Sequence, residues 1–316
     1  MVNPLITIIT PVHNEQDGIK RAIQSVVNQT YTNWEMIIIN DASTDDTSKV
    51  VRELIKKDRR IRFEDLKNNV GGSAARNIGI KKARGEYVTF LDGDDEFLPN
   101  KLEEMLNFSL KGENKFCTVV ADYFEESNNK LKRIIIPDVR NPILSLLTME
   151  WHVASGSNLF IPKDLLNVIG LYSEKYPRHQ DIEFLIRCLQ KSKVAILHKQ
   201  LTIIHGHKMQ MGPKVTNNTL KVQKIIEAKL MLFSDFKEEI NKLNSSDKKR
   251  VYAKNWLQIS RLYAVDGNWK FSLEYLKMSL GYGIVFSNNF PFLPYVTYFA
   301  IPLYLIKASF KNLFKN

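Results

Sequence analysis

Cysteine is scarce in this chain: 316 residues carry two, Cys117 and Cys188. Each sits among apolar neighbours, which excludes a disulfide framework and fits a reducing compartment. No apolar run reads as an uninterrupted membrane span, which needs about 20 residues. The most apolar stretch, residues 290–306, is broken by Pro291, Pro294 and Pro302. A secretory leader is not expected either, because residues 5–9 form a short apolar run without a preceding basic residue and meet Pro11. Acids are scarce in one half only. Residues 1–190 hold 25 Lys+Arg and 27 Asp+Glu, whereas residues 191–316 hold 20 and 7, and the net charge is +11. A nearly neutral first part joined to a basic second part suggests an anionic partner for the latter.

What is present first is alternation. Apolar strands at 5–10, 34–40, 61–64 and 86–91 alternate with helical spacing over 16–29, 44–57 and 71–83. The first strand is expected to stop at Pro11. Continuous apolar strands between amphipathic helices imply a mostly parallel sheet covered on both faces, with ligands at the carboxyl ends of its strands. Beyond residue 100 the order changes. Strands are expected at 116–124, 131–136, 157–161, 194–197 and 201–204, with helices near 143–150, 165–169 and 181–190. From 217 to 283 the chain reads as helical. There, 252–266 and 269–282 pair about Gly267-Asn268 in the manner of one tetratricopeptide-type hairpin.

The most informative residues are Asp92-Gly93-Asp94-Asp95, which close the strand 86–91. Carboxylates this close repel one another, and each costs several kcal/mol to desolvate without compensation. Mn2+ or Mg2+ supplies that compensation, typically bridging one or two carboxylates to substrate phosphates. Pro11-Val12-His13-Asn14-Glu15 ends the first strand, and Asn40-Asp41-Ala42-Ser43-Thr44-Asp45 ends the second. Asp41 can accept from a base N–H, while Asp45 and Thr47 read as ordinary helix caps. Gly71-Gly72-Ser73-Ala74-Ala75-Arg76-Asn77 opens the third helix and offers backbone N–H groups. It is neither a Gly-x-Gly-x-x-Gly fingerprint nor a Walker loop.

In this order the four stretches resemble the family 2 glycosyltransferases, inverting enzymes of the GT-A fold, over residues 4–210. The resemblance implies that Pro11, Val12 and Glu15 line a nucleotide pocket and that Asp41 and Arg76 hold the base. It makes Asp92-Gly93-Asp94 the metal and diphosphate motif. Asp94 would bind the ion directly, Asp92 would lie towards the ribose and the ion, and Asp95 would support them. His205-Gly206-His207 falls where relatives often carry a His near the diphosphate, so that His207 is either a further metal ligand or a surface histidine. The family's catalytic base, normally on a Glu-Asp pair before a helix, maps to Asp181, with Gln180 replacing the Glu. Trp151, His152, Gly156 and Ser157 fall on the expected acceptor wall, where Trp151 could equally be a core residue.

The C-terminal stretch adds the membrane. No charged residue lies between Lys277 and Lys307, and Lys307, Lys311 and Lys315 then follow at helical spacing. A tyrosine-rich, lysine-flanked segment suits a helix lying in the interface of an anionic leaflet. Expected therefore are a GT-A domain over 1–212 (nucleotide half 1–100, acceptor half 101–212), a helical hairpin region over 213–283, and an amphipathic tail over 284–316. The function expected is transfer from a UDP-sugar to a lipid-linked or surface-glycan acceptor, at the inner face of the cell membrane, with no nucleic acid partner. A sugar-phosphate nucleotidyltransferase would need a basic glycine-rich loop after the first strand, which residues 11–15 do not supply. A non-catalytic scaffold built on the hairpin is the other alternative, opposed by the intact acids.

Overall fold

The computed structural model describes residues 3–56, 58–127, 130–151, 156–205 and 218–282. The chain divides into two compact units, Met1–Pro213 and Lys214–Asn316.

In the first unit, strands β1 (Ile6–Val12), β2 (Trp34–Asn40), β3 (Ile61–Asp65) and β4 (Tyr87–Phe90) alternate with helices α1 (Ile19–Val27), α2 (Thr47–Ile55) and α3 (Gly72–Lys82). β2 and β4 are buried at every position and β1 at all but one. That is the signature of strands covered on both faces. β1 lies parallel between β2 and β4, with Ile8 opposite both Met36 and Thr89. β3 adds a further parallel strand outside β2.

β1 does not stop at Pro11: it runs on to Val12, with Pro11 opposite Ile39. The Ile9 carbonyl accepts from the Leu91 N–H on the β4 side, and Pro11 is the next residue facing that way. β4 has already diverged there, so the missing proline N–H breaks no ladder bond. α3 packs tightly on β1, because a Cβ at Gly79 would overlap the side chain of Ile9.

The chain continues through β5 (Glu96–Phe97), α4 (Lys101–Ser109), β6 (Thr118–Ser127), β7 (Lys130–Ile134), α5 (Pro142–Leu147), β8 (Leu159–Pro162), α6 (Lys163–Ile169), α7 (Gln180–Lys191) and β9 (Val194–His205). One sheet results, in the order β3-β2-β1-β4-β8-β6-β9-β5, with β7 beside β6. Its run of four parallel strands is β3-β2-β1-β4. β8 runs antiparallel to both β4 and β6, while β9 is parallel to β6. The two strands expected at 194–197 and 201–204 are one strand, and a register shift between Ala121 and Tyr123 absorbs the polar residues between them. α4 was not anticipated, although Leu102, Met105 and Leu106 supply its buried face.

The second unit contains α8 (Asn218–Asp235), α9 (Lys237–Lys242), α10 (Ser245–Val265) and α11 (Trp269–Gly281). α10 and α11 are the expected hairpin. Gly267 turns it with φ of 78°, and the Asn268 side chain accepts from the Phe271 N–H at the start of α11. Trp256, Leu262, Tyr263 and Tyr275 pack over Val222, Ile226 and Ile259. Among the described residues no helix is long and apolar enough to cross a membrane. The expected tail, 284–316, lies outside the described residues.

Candidate active site

The carboxyl ends of β1, β2 and β4 are neighbours in the sheet, so the loops that follow them converge on one edge. Two contacts bind the first of these loops to the acidic one. The Arg21 guanidinium of α1 donates to the Asp94 carbonyl at 2.6 Å. At Gly93, any Cβ would stand 2.7 Å from Val12 Cγ1 and 3.4 Å from Glu15 Cγ. Glycine between the two acids therefore lets Val12 and Glu15 lie directly against the loop. Glu15 is fixed in turn by its N–H, which donates to Thr47 Oγ1 at 2.9 Å.

Asp41 is buried at the end of β2. Its carboxylate accepts from the N–H groups of Val70, at 2.6 Å, and Gly71, at 2.8 Å. It thus fixes the turn that opens α3, beside His13, whose Nδ1 lies 2.7 Å from the Asp41 carbonyl. On α3, Arg76 is almost wholly buried and reaches Asp92 Oδ1 at 2.6 Å. Its guanidinium lies 5.6 Å from the centre of the Tyr172 ring. This places Arg76 on the metal-motif acid. Asp92 and Asp181 hold its charge firmly in place against the cost of burial.

Asp95 is the deepest of the acids, 2% exposed. Ser157 Oγ, in a short 3-10 turn (Gly156–Asn158), donates to Asp95 Oδ2 at 2.6 Å and accepts from the Asp92 N–H at 3.0 Å. The other Asp95 oxygen accepts from the His205 N–H at 3.2 Å. Burial, reinforced by the charges of Asp92 and Asp94, pushes the Asp95 carboxyl up to about 8. Beneath it lies Lys101, fully buried at the start of α4. Its ammonium donates to the Ser157 carbonyl at 2.9 Å and to Thr202 Oγ1 at 2.7 Å. Burial brings it down to about 7, with Asp95 acting against that shift.

Asp181 stands in the first turn of α7, behind His179 in a left-handed conformation. Its Oδ1 is buried without a hydrogen-bond partner among the described residues. Burial raises its carboxyl, Arg76 opposes the shift and Asp92 adds to it. The segment before α7 is clamped to α3: Asn77 donates to the Tyr172 carbonyl at 2.9 Å and accepts from the Tyr172 N–H at 2.8 Å. Tyr172 then stacks on Phe184 with ring centres 4.2 Å apart.

The structure thus gathers Val12, Glu15, Arg76, Asp92, Asp94, Asp95 and Asp181 around one edge, with Pro11 and Asp41 at the adjoining strand ends. His205 borders this edge through its N–H on Asp95, while its ring is held with Nδ1 2.7 Å from Glu126 and Nε2 3.5 Å from Glu96. Trp151 is a core residue, 3% exposed, donating to the Pro137 carbonyl. His152 and His207 lie outside the described residues. Lys101 was missed by sequence reasoning, since a lysine after Pro99-Asn100 looks like any exposed helix start.

For the Mn2+ or Mg2+ implied by the resemblance, the donor chemistry fits. The charges of Asp92 and Asp94 add to the burial that raises the Asp95 carboxyl, and a hard cation would relieve that crowding. Asp92 Oδ1 is engaged by Arg76, and Asp94 is the residue that the resemblance assigns as the direct ligand. Among the described residues no group of three or more His, Cys, Asp or Glu forms a metal cage.

A family model described as Glycosyl transferase family 2 matches residues 7–170. An uncharacterized glycosyltransferase of Haemophilus influenzae is 34% identical over 197 residues, which cover 62% of this chain and 76% of that one. A putative teichuronic acid biosynthesis glycosyltransferase of Bacillus subtilis, TuaG, is 34% identical over 154 residues, 46% of this chain and 61% of its own. Among solved structures, residues 1–349 of S. aureus TarS, in complex with UDP-GlcNAc, superpose with a TM-score of 0.56 at 16% identity, covering 89% of this chain and 93% of that one. The mannosyltransferase PcManGT of Pyrobaculum calidifontis, in complex with GDP-Man and Mn2+, gives 0.58 at 16% identity, covering 100% and 89%. At that identity the likeness shows the fold, which is GT-A with helices following the catalytic domain.

Proposed function

The chain belongs to glycosyl transferase family 2, and from that premise we propose that it moves one sugar, with inversion, from a UDP-sugar to a lipid-linked or surface-glycan acceptor. The observation that carries the reading is the convergence of the Asp92–Asp95 loop and Asp181 on Arg76. Val12, Glu15 and Gly93 form the floor on which the nucleotide lies, and Asp41 shapes the turn bordering the base. Asp94 would hold a divalent ion, which when bound neutralises charge on the departing nucleoside diphosphate.

Asp181 takes the proton of the acceptor hydroxyl as that oxygen attacks the anomeric carbon. Its buried Oδ1 suits this role, because a base already committed to a hydrogen bond would be a poorer proton acceptor. Arg76 favours the ionised form that the reaction needs, against the pull of burial. One face of the sugar is thus presented to the acceptor while the diphosphate departs from the other, which is the geometry of a single displacement with inversion.

UDP-GlcNAc in TarS and GDP-Man in PcManGT support a nucleotide-sugar donor, and Mn2+ in the latter supports the ion. The glycan acceptor draws support from TuaG. We place the enzyme at the inner face of the membrane because of its lysine-flanked C-terminal stretch. The test is nucleoside diphosphate release from a panel of UDP- and GDP-sugars, with Mn2+ and with EDTA. Asp94→Ala should abolish turnover and metal-promoted UDP binding while the protein stays folded. Full activity in EDTA would refute the metal-assisted mechanism.

A further inference from the structure

One serine joins the two ends of the acidic loop. Ser157 Oγ accepts from the Asp92 N–H at 3.0 Å and donates to Asp95 at 2.6 Å, so a single hydroxyl spans the loop that carries the metal motif. Its own carbonyl is held at 2.9 Å by Lys101, whose ammonium also grips Thr202 Oγ1 on β9 at 2.7 Å. The turn bearing Ser157 touches the other side of the site too. A Cβ on Gly156 would stand 3.4 Å from Arg76 Nε and 3.5 Å from Phe90 Cβ. Both Ser157 and Lys101 are fully buried.

An ammonium in such a place is costly to desolvate. An apolar residue on the inner face of α4 would serve packing better. What the lysine gains by its position is a fixed carbonyl in a turn with no regular ladder of its own. We propose that Ser157, braced from below by Lys101, is a positioning residue that sets Asp92 and Asp94 at the spacing the diphosphate and its ion require. It acts through the loop and touches neither substrate nor ion. The inference rests on the metal-assisted reading above and extends it to the wall opposite the donor.

The test uses the full chain and its Ser157→Ala, Ser157→Thr and Thr202→Val variants. UDP binding is measured by calorimetry in Mn2+ and in EDTA, beside thermal midpoints and the Mn2+ concentration giving half-maximal turnover. Outer-shell groups of this kind are worth about 10–100-fold in metal affinity. Ser157→Ala should therefore lose about tenfold in Mn2+-dependent UDP affinity and raise the half-maximal Mn2+ by a similar factor. Binding in EDTA and the thermal midpoint should change little. Ser157→Thr, which keeps the hydroxyl, should recover most of the loss, and Thr202→Val, which releases one hold on Lys101, should show part of it. Mn2+-dependent affinity within twofold of wild type in Ser157→Ala would overturn the proposal alone, and so would an equal loss in Mn2+ and in EDTA. Wild-type binding indifferent to EDTA would overturn the metal-assisted reading and this inference with it.

Discussion

Asp181 carries the conflict typical of a catalytic carboxylate: burial favours its proton and Arg76 disfavours it. Asp181→Asn keeps the shape and cannot take a proton, so turnover should fall by roughly 10²–10⁴ with donor affinity almost unchanged. Rates and UDP binding measured on the same variant check this. Losses of equal size in both would assign Asp181 to the donor pocket. Its place at the start of a helix was legible in the sequence, and the role of base is what the resemblance implies. The partnership of Arg76 was not legible. The resemblance assigns Arg76 to the base, and in the structure α3 carries its guanidinium to Asp92. Lys101 and its two oxygen acceptors were equally hidden. They come from residues 56 and 101 positions apart, a separation that no local pattern records.

Elements were legible where burial on both faces made the strand pattern continuous, as in β1, β2 and β4. They were blurred where a short or irregular element depends on its neighbours. β5 has two residues and exists because β9 pairs with it. At this scale the contact of α3 with β1 is a sharp test. Ile9 is fully buried and β-branched, so it has little freedom to yield. Gly79→Ala would gain about 1 kcal/mol in helix propensity and lose about 1–3 kcal/mol by overpacking. The net should be destabilising, visible as a lower urea midpoint, and a stabilised variant would refute the contact.

α8 offers a second test. Lys229 is buried, its ammonium lying against Asn255 and Gln258 of α10, and burial alone lowers it to about 8 from 10.5. The folded state therefore binds fewer protons than the unfolded state between those two values. The cost is fully present below pH 8 and is relieved as pH rises towards 10.5. It amounts to on the order of 3 kcal/mol, at about 1.4 kcal/mol per unit. The stability difference between wild type and Lys229→Met, from denaturant unfolding at pH 7 and pH 11, should shift in favour of wild type at the higher pH by that order. A difference independent of pH would mean that Lys229 is solvated.

Along the whole chain, charge is spread unevenly. Basic residues outnumber acidic ones 20 to 7 after residue 190, while the first part is nearly balanced. On the proposed reading a donor site crowded with carboxylates would be served by an ion, and an excess of lysine by an anionic surface. Lys307, Lys311 and Lys315 should each add about 1 kcal/mol on an anionic leaflet, and the Phe, Tyr and Leu residues before and among them should add apolar burial. Removing residues 284–316 should leave a protein that still binds UDP and works poorly on lipid-linked acceptor. Changing the three lysines to glutamate should weaken sedimentation with phosphatidylglycerol vesicles. High salt should act in the same direction, since exposed charges are screened beyond about 8–10 Å. The burial contribution survives salt, so binding should weaken without vanishing. Complete release by salt would leave electrostatics as the sole anchor. An intact chain that ignores vesicles of every composition would remove the membrane from the enzyme's function altogether.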